Sequence, residues 1–182
     1  MERRRGTAGS QHHRTVSGTT RPLPFPSLAF DRHWNIRFAN SAVQPLLEGV
    51  SAAILKAPIN IVELSLSPDG LAPRIVNFAE WSGHLLKRLE AQMQRTQDPA
   101  VSEMIRRARA FGARSRPGES SGPDLILPLR LRFGDRTLSF FSTTTIFGSA
   151  GEVLLSELTI ETFVPADQDT TDLLLANRRV AV

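Results

Sequence analysis

At 182 residues, of which 41% are hydrophobic and 22% charged, the chain has the size and balance of one globular domain with tails. The absence of cysteine removes a disulfide framework, a thiolate zinc site and a cysteine nucleophile together. No apolar run reaches the roughly 18 residues of a membrane-spanning helix, and five arginines against one glutamate in residues 1–26 carry the whole formal charge of +4, so the remainder is neutral.

Residues 1–26 lack apolar periodicity, are rich in Arg, Gly, Ser and Thr, and end in Pro22, Pro24 and Pro26. That composition predicts a disordered basic leader or linker. Arg3-Arg4-Arg5 is not followed by the apolar core of a secretory signal, and a cytoplasmic location without membrane association is expected.

Order is expected from residue 27. Segments 27–31 and 35–39 alternate Leu28 with Phe30 and Ile36 with Phe38 around Arg32-His33-Trp34, which predicts a strand hairpin. Asn40 or Ser41 can cap a short helix carrying Val43, Leu46 and Leu47, with Gly49 to end it. Asn60-Ile-Val-Glu63 has capping-box spacing, so 61–66 is read as helix although its alternation also fits a strand, and Ser67-Pro-Asp-Gly70 signals a turn. The clearest helix covers 78–95, where Phe78, Trp81, Leu85, Leu89 and Met93 recur every three or four residues while Glu80, Lys87, Arg88 and Glu90 lie elsewhere. Asp98-Pro99 starts a second helix, striped by Val101, Met104, Ile105, Ala108 and Phe111 and closed by Gly112.

After a loop over 113–123 the period changes to two. Leu125, Leu127, Leu129, Leu131 and Phe133 alternate with Arg130 and Arg132, Gly134-Asp135 turns the chain into a strand over 137–147, and a last strand covers 153–164. On that last strand Leu154, Leu158, Ile160 and Val164 are read as the apolar face, and Glu157 and Glu161 as an exposed face pairing with Arg130 and Arg132. Asp167 or Asp169 can cap a terminal helix holding 173–175. Strands with one apolar face need cover, which the amphipathic middle helices provide. The element order predicts an α+β, PAS-like fold: a five-stranded antiparallel sheet with helices inserted after the second strand and packed on one face.

Pro26-Ser-Leu-Ala-Phe-Asp-Arg-His-Trp-Asn-Ile-Arg-Phe-Ala-Asn40 with Leu46-Leu47 resembles the opening of the ligand-binding region of MmyB-like transcription regulators. Ile75-Val-Asn-Phe78, Asp98-Pro99 and the stretch 143–167 resemble later landmarks of that region, and together they cover about 24–176. Ser149-Ala-Gly-Glu-Val153 departs from it, standing where the family tends to have a Thr-Pro turn and an aspartate. The resemblance implies a PAS-like sensor of a small hydrophobic or fatty-acid-like ligand that regulates an XRE-type helix-turn-helix domain. Family members usually carry that DNA-binding domain ahead of the sensor, whereas only residues 1–26 precede it here. The chain then reads as a leader (1–26), a ligand-binding domain (27–176) and a tail (177–182), with DNA bound only through an absent or separate helix-turn-helix domain. The alternative is an interaction module that homodimerises or docks through its sheet or the 78–95 helix without a ligand.

The pocket candidates are Phe30, Phe38, Trp81, Leu85, Phe140, Ser142, Thr144 and Leu158, with Phe141 beside them. Aromatics at strand and helix spacing are core residues before they are pocket residues. The Ser142–Thr145 run adds hydroxyls, two of which must face inward, and buried hydroxyls need partners. Arg106, Arg107, Arg109, Arg114 and Arg116 form the strongest charge cluster, read as a solvated helix end rather than a phosphate site. His12, His13, His33 and His84 lack ligand spacing, and Asp167, Asp169 and Asp172 lack the glycine and terminal glutamate of a calcium loop, so no metal and no cofactor are expected. Gly148-Ser-Ala-Gly151 is one residue short of a nucleophile elbow. No catalytic residue is nominated, and an enzyme is not expected.

Overall fold

The hairpin expected at the start of the ordered chain forms from β1 (Ser27–Phe30) and β2 (Ile36–Ala39). The computed structural model describes residues 25–114, 127–146 and 158–180. The leader up to residue 24, most of the 113–123 loop with Arg116, the turn around Ser149 and Glu157 lie outside the described residues. Asp31 shapes the hairpin turn: its carboxylate accepts from the amides of His33 and Asn35 at 2.9 and 3.0 Å. Trp34 in that turn has φ of +62°, a left-handed conformation that a bulky side chain keeps only where its surroundings hold it. Its ring is buried 5.5 Å from Phe30, and its indole N–H donates to Gln92 Oε1 at 2.8 Å.

After β2 the chain enters a 3₁₀ helix, Ser41–Leu47, rather than an α-helix. Pro45 inside it has no N–H and crowds the preceding turn, which disfavours the α-helical ladder. Asn40 does not cap this helix with its side chain. It braces β1 instead, accepting from the Ser27 amide and donating to the Phe25 carbonyl. The end of the 3₁₀ helix is tied to the sheet by Arg74, which donates to the carbonyls of Leu46, Glu48 and Arg132.

Residues 61–66 are helical, as α1 (Ile61–Leu66). Asn60 caps it by accepting from the Val62 amide, but Glu63 does not complete a capping box and pairs with Arg107 instead. Gly70 lies so close to this helix that a Cβ there would collide with the Leu64 carbonyl. α2 (Phe78–Thr96) ends at Gln97 in a left-handed conformation, and α3 (Pro99–Ala110) begins at Asp98, whose carboxylate accepts from the Ala100 amide at 2.9 Å.

The remaining strands are β3 (Leu129–Phe133), β4 (Arg136–Ile146) and β5 (Thr159–Pro165), followed by α4 (Gln168–Val180). All pairings are antiparallel in the order β2-β1-β5-β4-β3, so β5 is central and joins the hairpin to the C-terminal meander. With helices inserted after the second strand, this is the α+β arrangement of a PAS-like domain. The outer edge of β3 is occupied by the segment before α2: Val76 donates its amide to the Arg130 carbonyl, and the Asn77 side chain bonds Arg130 and Pro128.

Glu161 corrects the sequence reading. It pairs across the sheet with Leu28 on one side and Thr144 on the other, which places it on the face with Leu28, and it is only 2% exposed. Apolar residues occupy both parities of β5, Ile160 and Val164 on one and Phe163 on the other, so alternation alone did not decide which face is covered. Arg130 and Arg132 are exposed and are not its partners.

α4 packs against β4 and β5. Thr170, fully buried at its start, accepts from the Ser139 amide at 2.9 Å and gives its own amide to Asp167 Oδ1 at 2.8 Å. The hydroxyl and amide of Thr170 hold the Asp167 carboxyl below its ordinary 3.8. Because the folded-state value is depressed, that stabilisation is complete above 3.8 and is lost as pH falls through the folded value. Asp167→Asn is therefore expected to flatten the acid limb of a stability-versus-pH curve without moving its neutral plateau upward. Asn60→Ala removes the α1 cap together with bonds to His33 and Asn35, and urea denaturation should show a loss of about 2 kcal/mol. Asn60→Asp keeps the capping oxygen but turns a second acceptor toward the His33 carbonyl, so it should recover less than the cap's share of about 1 kcal/mol.

Candidate functional site

Helices and sheet do not close completely on one another. Between them remains a cavity of about 50 Å³. The sheet contributes Leu28, Leu129, Leu131, Glu161 and Phe163, and the other side is built from Val43, Leu46 and Leu47 of the 3₁₀ helix, Ile61, Leu64 and Ser65 of α1, Leu71, and Trp81 and Leu85 of α2. Nearly all of this is hydrocarbon, as ligand cavities usually are, with a few polar atoms set into it.

Two of those polar groups stand out chemically. Trp81 is 3% exposed and stacks on His84 at 5.6 Å, and among the described residues its Nε1 has no hydrogen-bond partner. A buried donor of this kind is uncommon because it has given up water for nothing. Glu161 brings a carboxylate to the sheet wall and is met by Arg88 Nη1 at 2.9 Å. The Arg88 guanidinium lies 4.9 Å from the centre of the Trp34 ring, so it is held between a carboxylate and an aromatic face. Gln92, one turn further along α2, accepts from the Trp34 indole and donates to the Arg32 carbonyl at 2.6 Å. Trp81, Leu85, Arg88 and Gln92 thus form a single stripe on α2, from the cavity to the β1–β2 turn.

Of the residues nominated from sequence, Trp81 and Leu85 line the cavity. Phe30 is buried against Trp34, and Phe140 is buried behind the wall, edge-on to Phe163 at 6.3 Å. Ser142 and Thr144 lie opposite Phe163 and Glu161 in the β4–β5 ladder, the first half-buried and the second exposed. Leu158 and Phe141 are half-buried outside the cavity, and Phe38 is 69% exposed on β2. Sequence reasoning missed the rest of the lining, Glu161 and Phe163 among it, and also Arg88, which meets Glu161. Arg88 was assigned to the polar side of α2, yet it falls seven residues after Trp81 and three after Leu85, a spacing that puts all three on one face.

The arginine cluster is a different kind of surface. Leu86, Arg106, Arg109, Ala110, Ala113 and Arg114 border an open groove of about 590 Å³. It is larger than the cavity, but its charges are already engaged. Arg106 and Arg107 pair with Glu103, pulling the Glu103 carboxyl down to about 2, Arg109 pairs with Glu90, and Arg114 donates to backbone carbonyls. His33 bonds Asp98 at 2.9 Å, and among the described residues no three His, Cys, Asp or Glu side chains gather as a metal site. None of the described helices is long and apolar enough to cross a membrane.

The family model described as the MmyB-like transcription regulator ligand binding domain matches residues 20–176. The chain belongs to that family. A search of curated proteins finds no match to it. The match makes this a regulatory, ligand-binding domain of a transcription regulator.

Removing one partner of the buried pair should be costly. Glu161→Ala strands the Arg88 guanidinium and is expected to lower the stability of this MmyB-like domain by about 3 kcal/mol in chemical denaturation. The double replacement Glu161→Leu with Arg88→Met should recover most of that loss, because no charge is then left unpaired.

Proposed function

We propose that this domain senses a small hydrophobic or fatty-acid-like ligand, taken into the cavity between sheet and helices, and passes its occupancy to a helix-turn-helix domain that reads DNA. The ligand-binding unit is taken as residues 27–176, acting in the cytoplasm without catalysing a reaction. The observation that carries the reading is the combination at one place of an apolar cavity and an unpaired indole donor.

The cavity is too small as it stands for a long acyl chain, so binding requires its wall to move. The 3₁₀ helix is the part of that wall with the weakest internal hydrogen bonding. A ligand changes the protein only as far as it binds the opened form better than the closed one. α2 is suited to carry the difference, since it touches the cavity through Trp81 and the hairpin turn through Arg88 and Gln92. An interaction module without a ligand is the second reading, and the exposed Phe38 on the edge strand β2 is what favours it.

Native mass spectrometry and organic extraction of the purified protein should recover a bound lipid-like molecule, and added octanoate or methyl octanoate should raise the melting temperature. Ser65→Leu places hydrocarbon in the cavity and is expected to abolish both effects while cooperative unfolding persists. A protein that carries no such molecule and shows no thermal shift would remove the sensor reading and leave the interaction module.

A further inference from the structure

Arg74 is a half-buried cation whose partners among the described residues are all neutral. Its Nε donates to the Arg132 carbonyl at 3.0 Å, and its Nη1 donates to the carbonyls of Leu46 and Glu48 at 2.8 and 2.6 Å. Burial holds its pKa below the ordinary arginine value, and the Glu48 carboxyl opposes that shift without a hydrogen bond to the guanidinium. Nη2 has no partner among the described residues. Trp81 Nε1 is the one polar side-chain atom there that is both fully buried and unpartnered, so Arg74 Nη2 is reached by solvent.

The guanidinium stands where two walls of the cavity meet. Leu46 belongs to the 3₁₀ helix and Leu131, beside Arg132, to β3; both line the cavity, as does Leu71 three residues before Arg74. Glu161, the charged residue within the lining, is on β5 and is neutralised by Arg88. β5 lies two strands from β3, about 10 Å at the usual spacing, so the rim cation and the neutral pair mark different ends of the space.

We propose that Arg74 is the head-group site of this cavity, taking the carboxylate of a fatty-acid-like ligand along its Nη1–Nη2 edge while the acyl chain enters between the 3₁₀ helix and β3. This rests on the sensor reading above and names the residue that holds the head. A guanidinium fork meets a carboxylate with two parallel bonds and opposite charge, which backbone carbonyls do not supply. Nη2 offers its unpartnered N–H groups, and Nη1 turns to the ligand by giving up the Leu46 or Glu48 carbonyl. Binding of the head therefore releases the end of the 3₁₀ helix, the part of the wall that has to move. A neutral ester brings only another carbonyl and gains nothing from the exchange.

The test measures octanoate and methyl octanoate on the full chain at neutral pH by calorimetry. The acid should bind at least about tenfold more tightly than the ester, as hydrogen bonds between charged groups allow. Arg74→Met keeps the stem and removes the fork, and should abolish that preference while ester affinity is kept or rises, the wall being unlatched. Where Arg74→Met does not unfold cooperatively, Arg74→Lys takes its place: the charge stays, the fork is lost, and the acid alone should weaken severalfold. If the ester binds the unmodified protein as tightly as the acid, or if the replaced arginine leaves the acid's advantage intact or weakens both probes alike, the inference is overturned and the sensor reading stands. If neither probe binds, the sensor reading falls and the inference with it.

Discussion

The pairing of Arg88 with Glu161 organises this domain. It joins the middle of α2 to β5, the central strand, at the point where β5 also holds β1 and β4. An ion pair in such a place is a poor source of net stability, because both ions surrender hydration to form it. Its value is geometric. A slip of β5 by one residue would turn Glu161 to the opposite face and bring Ile160 and Thr162 toward α2, and a rotation of α2 would pull Arg88 off the Trp34 ring. The pair therefore accepts one register of the sheet and one rotation of the helix.

Much else follows from that constraint. With Arg88 in place, Trp34 is packed by both the guanidinium and Phe30, and Gln92 bonds its indole. These contacts offset the cost of a bulky residue at positive φ. The same rotation of α2 delivers Trp81 and Leu85 to the space below. Cavity and hairpin turn are thus opposite ends of one helical stripe, and the rigid sheet forms the remaining wall. The 3₁₀ helix Ser41–Leu47 closes the site from the side where backbone bonding is least regular, held mainly by Arg74 reaching to its last carbonyls.

Local signals in the sequence were sufficient for most of the architecture. Asn60, Asp98 and Asp167 each cap the helix they precede, Gly134 makes its turn with φ of +60°, and the change from a period near 3.6 to a period of two separates the helical middle from the meander. The candidate site was less legible, for a physical reason. Glu161 is charged and Phe163 is two residues further along a strand that carries apolar side chains on both faces, so the covered face depends on pairing with Leu28, a contact 133 residues away in sequence. Arg88 was concealed by the same reasoning, since a charged residue on a helix is assigned to solvent until its partner is known. Trp81 and Leu85 were recognised because an apolar stripe is a local property, but that stripe does not reveal whether the space opposite it is filled.

The chain contains two tryptophans and no tyrosine. Its ultraviolet emission therefore originates almost wholly from Trp34 and Trp81, both buried and both in contact with the α2 stripe or part of it. One indole is hydrogen-bonded and capped by a cation, and the other is buried with no hydrogen-bond partner among the described residues. Their spectra should differ accordingly, so the protein contains two intrinsic optical reporters, one at each end of the element that connects the cavity to the hairpin.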